Sequence, residues 1–93
     1  MSGSEPYELV LTPPAIRAIQ FRLTEGVAAA VVEFLTGALV VNPRRVGKPL
    51  RGDLAGIYAA RRGTYRVLYR INDDLREVVV LRIEHRADAY RPQ

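Results

Sequence analysis

Cysteine is absent from this chain of 93 residues, and histidine occurs once, at His85. These two absences exclude a disulfide framework, a thiolate zinc site, a cysteine nucleophile and any metal site built on several imidazoles. Serine occurs only at Ser2 and Ser4, so a serine triad is not expected. The glycines fit neither the dinucleotide-binding nor the P-loop spacing. The sequence therefore predicts neither an ordinary hydrolase nor a bound metal or cofactor.

Long hydrophobic runs are also lacking. The longest apolar stretch, residues 27–41, is interrupted by Glu33, Thr36 and Gly37 and falls short of the roughly 20 residues that a membrane-spanning helix needs. Residues 1–11 contain no basic segment followed by an apolar one, as a secretory signal would. We therefore expect a cytoplasmic protein with no membrane partner. A hydrophobic fraction of 48% and a charged fraction of 26% predict a single globular domain over residues 1–93.

Positive charge is concentrated in the second half of the chain. Residues 1–43 carry a net charge of −2 and residues 44–93 a net charge of +6. All but one of the 14 basic residues are arginine, whose planar guanidinium matches phosphate oxygens two at a time. The charge indicates a solvated basic face, a surface for nucleic acid, or a surface for an acidic protein. Charge alone does not separate these alternatives.

The hydrophobic patterns predict one strand, two helices and three further strands. Thr12 and Thr24 are candidate helix caps, and Gly37 is a candidate helix end. Residues 42–53 read as an irregular loop because they contain two prolines and two glycines. The predicted strands cover residues 7–11, 56–62, 65–72 and 77–84, and the predicted helices cover 14–23 and 25–36. This order predicts an α+β fold, β-α-α-β-β-β, with a two-helix hairpin on one face of a mainly antiparallel sheet of about four strands.

Alternation along the strands predicts which side chains face the helices. Tyr65, Val67, Tyr69 and Ile71 share one face of their strand, and Arg66 and Arg70 share the other. In the last strand, strict alternation groups Val79 and Leu81 with Ile83, and sets Val78 and Val80 on the opposite face. His85 shares the face of Ile83 and reads as a packed structural residue. Asp73 and Asp74 read as a polar turn rather than a metal site. The face with Arg66 and Arg70 is left open for a ligand.

Arginine and tyrosine dominate the predicted open face and its surroundings. Cleaving RNA without a metal requires removal of the 2′-hydroxyl proton, stabilisation of charge on the phosphorus, and protonation of the leaving 5′ oxygen. Arginine suits the second task because its charge is permanent, and tyrosine can stack on a base or shuttle a proton. The same residues suit passive RNA binding equally well.

Two sequence segments resemble the RelE family of bacterial toxins, within the RelE/ParE superfamily. They are RVGKPLRGDLAGIYAARRGTYRVLYRI and, near the end of the chain, IEHRADAYR. The resemblance implies a toxin that inhibits translation by cutting messenger RNA in the ribosomal A site. It further implies metal-independent attack by the 2′-hydroxyl, and a neighbouring acidic, RelB-like antitoxin that forms a hetero-oligomer with the toxin. Operator DNA would be bound only through that antitoxin.

The resemblance also implies roles for particular residues. Arg66 matches a transition-state arginine, Arg86 a second catalytic arginine, Tyr90 a tyrosine that stacks on the base or assists proton transfer, and Arg61 a basic residue of the preceding strand. Lys48 and Arg51 match a basic loop that faces ribosomal RNA. Four further arginines are predicted as general contacts to RNA or the ribosome: Arg44, Arg45, Arg62 and Arg70.

One departure leaves the general base open. Ala59 stands where the best-studied members have a lysine, so His85 or Arg61 would have to be considered for that role. ParE-like members of the superfamily instead inhibit DNA gyrase and lack the nuclease residues. A third alternative is a degenerate binding module that acts only with its antitoxin.

Overall fold

The protein folds as a two-helix layer on one face of a five-stranded sheet. A computed structural model describes residues 5–85. The strands are β1 (Glu8–Leu11), β2 (Lys48–Pro49), β3 (Tyr58–Arg62), β4 (Tyr65–Asn72) and β5 (Glu77–His85). They lie in the order β1-β5-β4-β3-β2; β1 and β5 pair in parallel, and the other neighbours pair antiparallel. The predicted α+β architecture is confirmed, with five strands instead of about four.

Both helices of the hairpin begin at the predicted threonine caps. Helix α1 (Pro13–Arg17) continues as a π-helical segment, Ala18–Arg22, and helix α2 (Glu25–Phe34) continues as another, Leu35–Leu39. The Thr12 hydroxyl accepts a hydrogen bond from the backbone N–H of Ala15, and the Thr24 hydroxyl accepts one from Val27. Each threonine thus accepts a hydrogen bond from a backbone N–H of the first turn, which has no partner within the helix.

Gly37 does not end the second helix, so that prediction is wrong. The helical backbone continues through Gly37 because Leu35 and Leu39, on either side, are almost fully buried. Burying two leucine side chains stabilises the helix by more than the roughly 1 kcal/mol that a glycine costs in its interior. Tertiary packing thus overrides the local signal.

The segment predicted as an irregular loop contains short regular elements. Residues 42–53 include helix α3 (Pro43–Val46), strand β2 and the start of a 3₁₀ turn, Gly52–Leu54. Pro43 occupies the first turn of α3, where its missing N–H is not needed. Strand β2 adds a fifth strand at the edge of the sheet, which extends the open face beyond the predicted one.

The core lies between the helices and the sheet. Tyr65, Val67 and Tyr69 of β4 are buried against the helical layer, as alternation predicts. The Tyr69 hydroxyl donates a 2.6 Å hydrogen bond to the carbonyl of Pro43, and its ring stacks on Tyr58 with ring centroids 5.6 Å apart. No helix within residues 5–85 has the length and apolar character needed to cross a membrane.

A β-bulge in β5 changes which side chains face the core. Leu68 pairs with Arg82 while Tyr69 pairs with Val80, which leaves Leu81 as the extra residue. The Thr12 hydroxyl donates to the carbonyl of Leu81 at 2.8 Å. Strict alternation therefore gives the wrong face for part of this strand: Val78 and Val80 are buried together with Ile83. The bulge lets both ends of β5 bury their valine and isoleucine side chains on one face.

Candidate functional site

The open face of the sheet carries a cleft at its β2–β3–β4 end. The cleft has a volume of about 420 Å³ and is lined by Val46, Gly47, Lys48, Ala59, Arg61 and Arg66. Strand register explains the grouping, because Lys48 lies directly opposite Ala59 and Arg61 lies directly opposite Arg66. Side chains of directly opposed residues point to the same face and come close together. Three cationic side chains thus surround one concave surface.

Arg66 lies between a cation on one side and a carboxylate on the other. Across β4–β5 it faces Glu84, and across β3–β4 it faces Arg61. Its Nε lies 3.0 Å from Glu84 Oε1, and its Nη2 donates to the same oxygen. The Arg66 side chain is 43% exposed and that of Glu84 30%. Glu84 therefore offsets the repulsion between two opposed arginines while leaving the Arg66 guanidinium accessible from the cleft.

Glu84 is also close to a second arginine. The Nε of Arg82 lies 3.5 Å from Glu84 Oε2, so the carboxylate has a cation near each of its oxygens. An incoming phosphate could take over the Arg66 contact, because Glu84 would keep Arg82 as a partner. Guanidinium groups bind phosphate oxygens with the same charge-assisted geometry that they use for carboxylates. The site is thus arranged for anion exchange at Arg66.

The wall of the cleft is fixed from the core side by Tyr69. A Cβ added at Gly47 would overlap the Tyr69 hydroxyl and lie 3.0 Å from the carbonyl oxygen of Ala59. The backbone between α3 and β2 can therefore approach β3 and β4 this closely only with glycine at position 47. Since Tyr69 also holds Pro43 through its hydroxyl, one buried side chain positions both ends of α3. Lys48 follows directly and is presented to the cleft.

Comparison with known proteins identifies the family to which this chain belongs. The family described as "ParE toxin of type II toxin-antitoxin system, parDE" matches residues 11–90. Toxin RelG of Mycobacterium tuberculosis is 55% identical over 86 residues, covering 92% of this chain and 98% of its own length. Toxin RelE of the same organism is 50% identical over 91 residues, covering 98% and 93%. The chain belongs to the RelE/ParE family of type II toxins.

A solved structure supports the assignment of this toxin. The crystal structure of the toxin-antitoxin complex RelBE2 from Mycobacterium tuberculosis contains a chain with 52% identity and a TM-score of 0.85. The match covers 88% of this toxin and all of that chain. The predicted resemblance to RelE toxins is therefore confirmed.

The other predicted site residues that the structure describes lie outside the lining of the cleft. Arg62 faces the helical layer, where its guanidinium lies 4.8 Å from the ring centroid of Phe34. Arg70 is exposed on the open face, beside Gly56. Arg45 and Arg51 are exposed, and each lies three positions from Lys48 in the sequence. Arg86 and Tyr90 lie outside the described residues; of the predicted residues within 5–85, the cleft brings together Lys48, Arg61 and Arg66.

Arg44 is held in a separate ion pair away from the cleft lining. Its guanidinium donates to both carboxylate oxygens of Asp73, at 3.0 Å and 2.6 Å, and the Tyr7 hydroxyl donates to the same carboxylate at 2.8 Å. The hydrogen bond from Arg44 and that from Tyr7 hold the pKa of Asp73 below its ordinary value. The hydrogen bond to Asp73 likewise raises the pKa of Arg44. Asp73 is thus part of a polar turn, as predicted, and ties it to α3 and the first strand.

His85 does not contribute to the cleft. Its ring lies across from Tyr65, and its Nε2 is 3.1 Å from the hydroxyl oxygen of Thr64 at the β3–β4 turn. The residue is half-buried on the face of Ile83, where alternation places it. His85 and Arg61 are the two alternatives for the general base. The structure places His85 on the helical side of the sheet and Arg61 in the lining of the cleft.

Three features of the site go beyond the sequence prediction. Lys48 belongs to the cleft itself and not to an outer loop; Glu84 pairs with Arg66; and Gly47 lets the wall of the cleft approach β3 and β4. Glu84 could have been predicted as a site residue, because alternation along the last strand places it on the open face together with Arg82. Strand β2 is only two residues long, too short for any periodic signal, so the position of Lys48 opposite Ala59 could not.

Proposed function

We propose that this toxin is a ribosome-dependent endoribonuclease that cuts messenger RNA in the A site and thereby inhibits translation and growth. The observation that carries the proposal is the position of Arg66 in a cleft that also contains Arg61 and Lys48. The two arginines, one of them paired with Glu84, attract a phosphodiester and stabilise the extra charge that develops on it during cleavage, and Lys48 lines the same cleft.

The proposed reaction is in-line attack by the 2′-hydroxyl on the adjacent phosphorus. It yields a 2′,3′-cyclic phosphate and a 5′-hydroxyl, and the proposed machinery uses no metal ligands. In it, Arg66 exchanges Glu84 for non-bridging phosphate oxygens, and Arg61 contributes charge from the opposite strand. Arg86 and Tyr90 complete the proposal as a second cation and a stacking or proton-transfer group. The ribosome supplies the alignment of the message that a small, open cleft does not provide.

A single arginine-to-alanine comparison tests this function. On ribosomes programmed with a message, we expect Arg66→Ala to lower the single-turnover cleavage rate by about 100- to 1000-fold, the loss typical of removing one transition-state donor. Arg17→Ala, an exposed arginine of α1, is the matched control and should stay within about twofold of the parent toxin. Equal cleavage by the two variants would contradict the proposal.

Inhibition of DNA gyrase is the second candidate function. The matched family is described by ParE toxins, and Ala59 occupies the cleft position where a lysine is expected for the nuclease. Sequencing RNA 5′ ends after brief induction separates the two functions. Codon-positioned breaks in translated messages support the nuclease. Intact messages together with unresolved DNA breaks would support the gyrase inhibitor.

We also propose an acidic, RelB-like antitoxin as the partner of this toxin. A relative of known structure is seen in a toxin-antitoxin complex, and the basic second half of this chain favours a partner of opposite charge. Co-expression with the neighbouring reading frame should yield a hetero-oligomer and restore growth. Growth arrest that the neighbouring gene product does not relieve would contradict this partner.

A further inference from the structure

The chain contains one lysine, and the fold places it in the cleft. Thirteen of the 14 basic residues are arginine; the exception is Lys48 on β2. Lys48 is exposed and lies directly opposite Ala59, whose methyl group is the smallest side chain in that row of the open face. A long side chain beside a small one can lie across it toward the next strand. Across Ala59 the next residue is Leu68, and the pair Arg61 and Arg66 lies two positions along the same face and lines the same cleft.

The position of Lys48 is set by the core and not by a free loop. The residue before it, Gly47, is packed so closely against the Tyr69 hydroxyl that a Cβ would overlap it. Tyr69 is fully buried and hydrogen-bonded to Pro43. The backbone of Lys48 is therefore held between α3 and β3. A side chain on so constrained a backbone loses less freedom when it binds a ligand, which favours a defined contact.

The three cations of the cleft differ in the chemistry they can perform. Arginine keeps its proton throughout the accessible pH range, so Arg61 and Arg66 can only supply charge and hydrogen bonds. A lysine amine can release and take up a proton. Glu84 is not among the residues that line the cleft and keeps Arg82 as a partner when Arg66 binds phosphate, and the His85 ring lies on the other side of the sheet. Among the described residues that line the cleft, Lys48 alone combines access with proton exchange.

We propose that Lys48 is a catalytic residue that accepts the 2′-hydroxyl proton during RNA cleavage. The inference rests on the proposed nuclease function and assigns its proton acceptor. Arg66 would hold the phosphate that the 2′ oxygen attacks, so the acceptor has to lie within a few ångströms of that phosphate. Lys48 lines the same cleft as Arg66, so the two side chains share one concave surface.

The step balances without a further reactant. The 2′-hydroxyl proton moves to the unprotonated Nζ of Lys48 as the 2′ oxygen bonds to phosphorus. The bond between phosphorus and the 5′ oxygen breaks, and the leaving oxygen takes a proton from water. The lysine ammonium then returns its proton to solvent. No electrons are transferred to or from an external group, and the products are the cyclic phosphate and the 5′-hydroxyl.

Moving the amine across the strand pair tests the proposal. Lys48→Ala should lower single-turnover cleavage on programmed ribosomes by about 100-fold, the usual contribution of a positioned proton acceptor. Lys48→Arg keeps the charge and should lose about as much, because arginine does not release its proton. The double variant Lys48→Ala/Ala59→Lys returns an amine to the same face and should recover at least about tenfold of the loss. Arg17→Ala is the control for surface charge, and thermal unfolding checks that each variant is folded.

A small amine gives a second readout that a structural role would not produce. Ethylamine added to the Lys48→Ala variant should restore cleavage in proportion to the unprotonated amine, whereas ethanol should not. Activity of Lys48→Ala or Lys48→Arg close to the parent toxin would overturn the assignment. So would a larger loss in Glu84→Gln than in Lys48→Ala, which would assign the proton to the carboxylate.

The same set of variants distinguishes failure of this inference from failure of the proposed nuclease function. If Arg66→Ala loses cleavage and Lys48→Ala does not, Lys48 is not the proton acceptor and the nuclease function stands. If the parent toxin itself produces no cleavage on programmed ribosomes, the nuclease function is wrong and the assignment of Lys48 falls with it. A loss in both, with recovery from the relocated amine, supports both proposals.

Discussion

The two faces of the sheet hold their polar groups in different ways. On the helical face, the hydroxyls of Tyr65 and Tyr69 donate to backbone carbonyls, of Ala30 and Pro43 respectively. On the open face, Arg66 pairs with the side chain of Glu84. A backbone carbonyl is fixed by the fold, whereas a partly exposed carboxylate can be exchanged for another anion. A ligand can therefore replace the partner of Arg66, whereas the partners of Tyr65 and Tyr69 belong to the fold.

The largest effect on stability should come from the helical face. Tyr69→Ala empties a fully buried site and removes the hydrogen bond to Pro43, so we expect a loss of about 3–5 kcal/mol in the free energy of unfolding. Urea denaturation measures this loss. Arg66→Ala on the open face should change the same quantity by less than about 0.5–1 kcal/mol. Similar losses for the two variants would break the proposed division between the faces.

The junction between the faces should show a smaller, coupled effect. Gly47→Ala forces its Cβ into the Tyr69 hydroxyl, and we expect a cost of about 1–3 kcal/mol. In a Tyr69→Phe background the same substitution should cost less, because the overlapping oxygen is gone. A double-mutant cycle by urea denaturation gives the coupling energy. Additive effects would show that the close approach does not depend on the hydroxyl.

Alkaline pH should weaken the helical face in particular. Burial raises the pKa of Tyr69 to about 12, against about 10 for an unperturbed tyrosine. The fold therefore favours the neutral phenol, and stability falls as the pH rises from about 10 toward 12, where the unfolded chain ionises first. Tyr69→Phe should flatten this fall. Urea midpoints at pH 8, 10 and 11 measure it, and equal slopes for the two proteins would count against the raised pKa.

Acid should remove the smallest of these contributions, that of the exposed pair between Arg44 and Asp73. The pKa of Asp73 is lowered by its hydrogen bonds, so the pair stabilises the fold above the ordinary aspartate value and this contribution is lost as the pH falls through the lowered one. Arg44→Ala should lower the melting temperature slightly at pH 7, and its effect should shrink as the pH falls below the ordinary aspartate value. A difference that persists in acid would assign the effect of Arg44 to packing instead of charge.

Much of the fold follows from local pattern. The bounds of β4 and the two threonine caps were predictable because eight alternating residues and a threonine before each helix are strong local signals. The prediction that the second helix ends at Gly37 is wrong because the burial of Leu35 and Leu39 outweighs the local preference of glycine for a helix end. Alternation gave the wrong face in β5 because it does not reveal the extra residue Leu81, whose carbonyl binds the hydroxyl of Thr12, 69 residues away in sequence.

The candidate site was predictable in part, and for similar reasons. Arg61 and Arg66 follow from strand alternation together with the family resemblance, and both line the cleft. The placement of Lys48 depends on how a two-residue strand pairs with β3, and the placement of Arg62 on its contact with Phe34. Arg44 is drawn to Asp73 across 29 residues of sequence. A run of basic residues shows total charge, but long-range contacts decide which of them reach the same cleft.

The parallel pairing of the first strand with the last has a consequence for synthesis. Strand β5 lies between β1 and β4, so the centre of the sheet is missing until residues 77–85 have been made. Pairing strands so far apart in sequence slows folding, because a long loop has to close before the pair forms. A copy of the chain that stops before residue 77 therefore lacks the strand that carries Glu84, and Arg66 has no carboxylate opposite it.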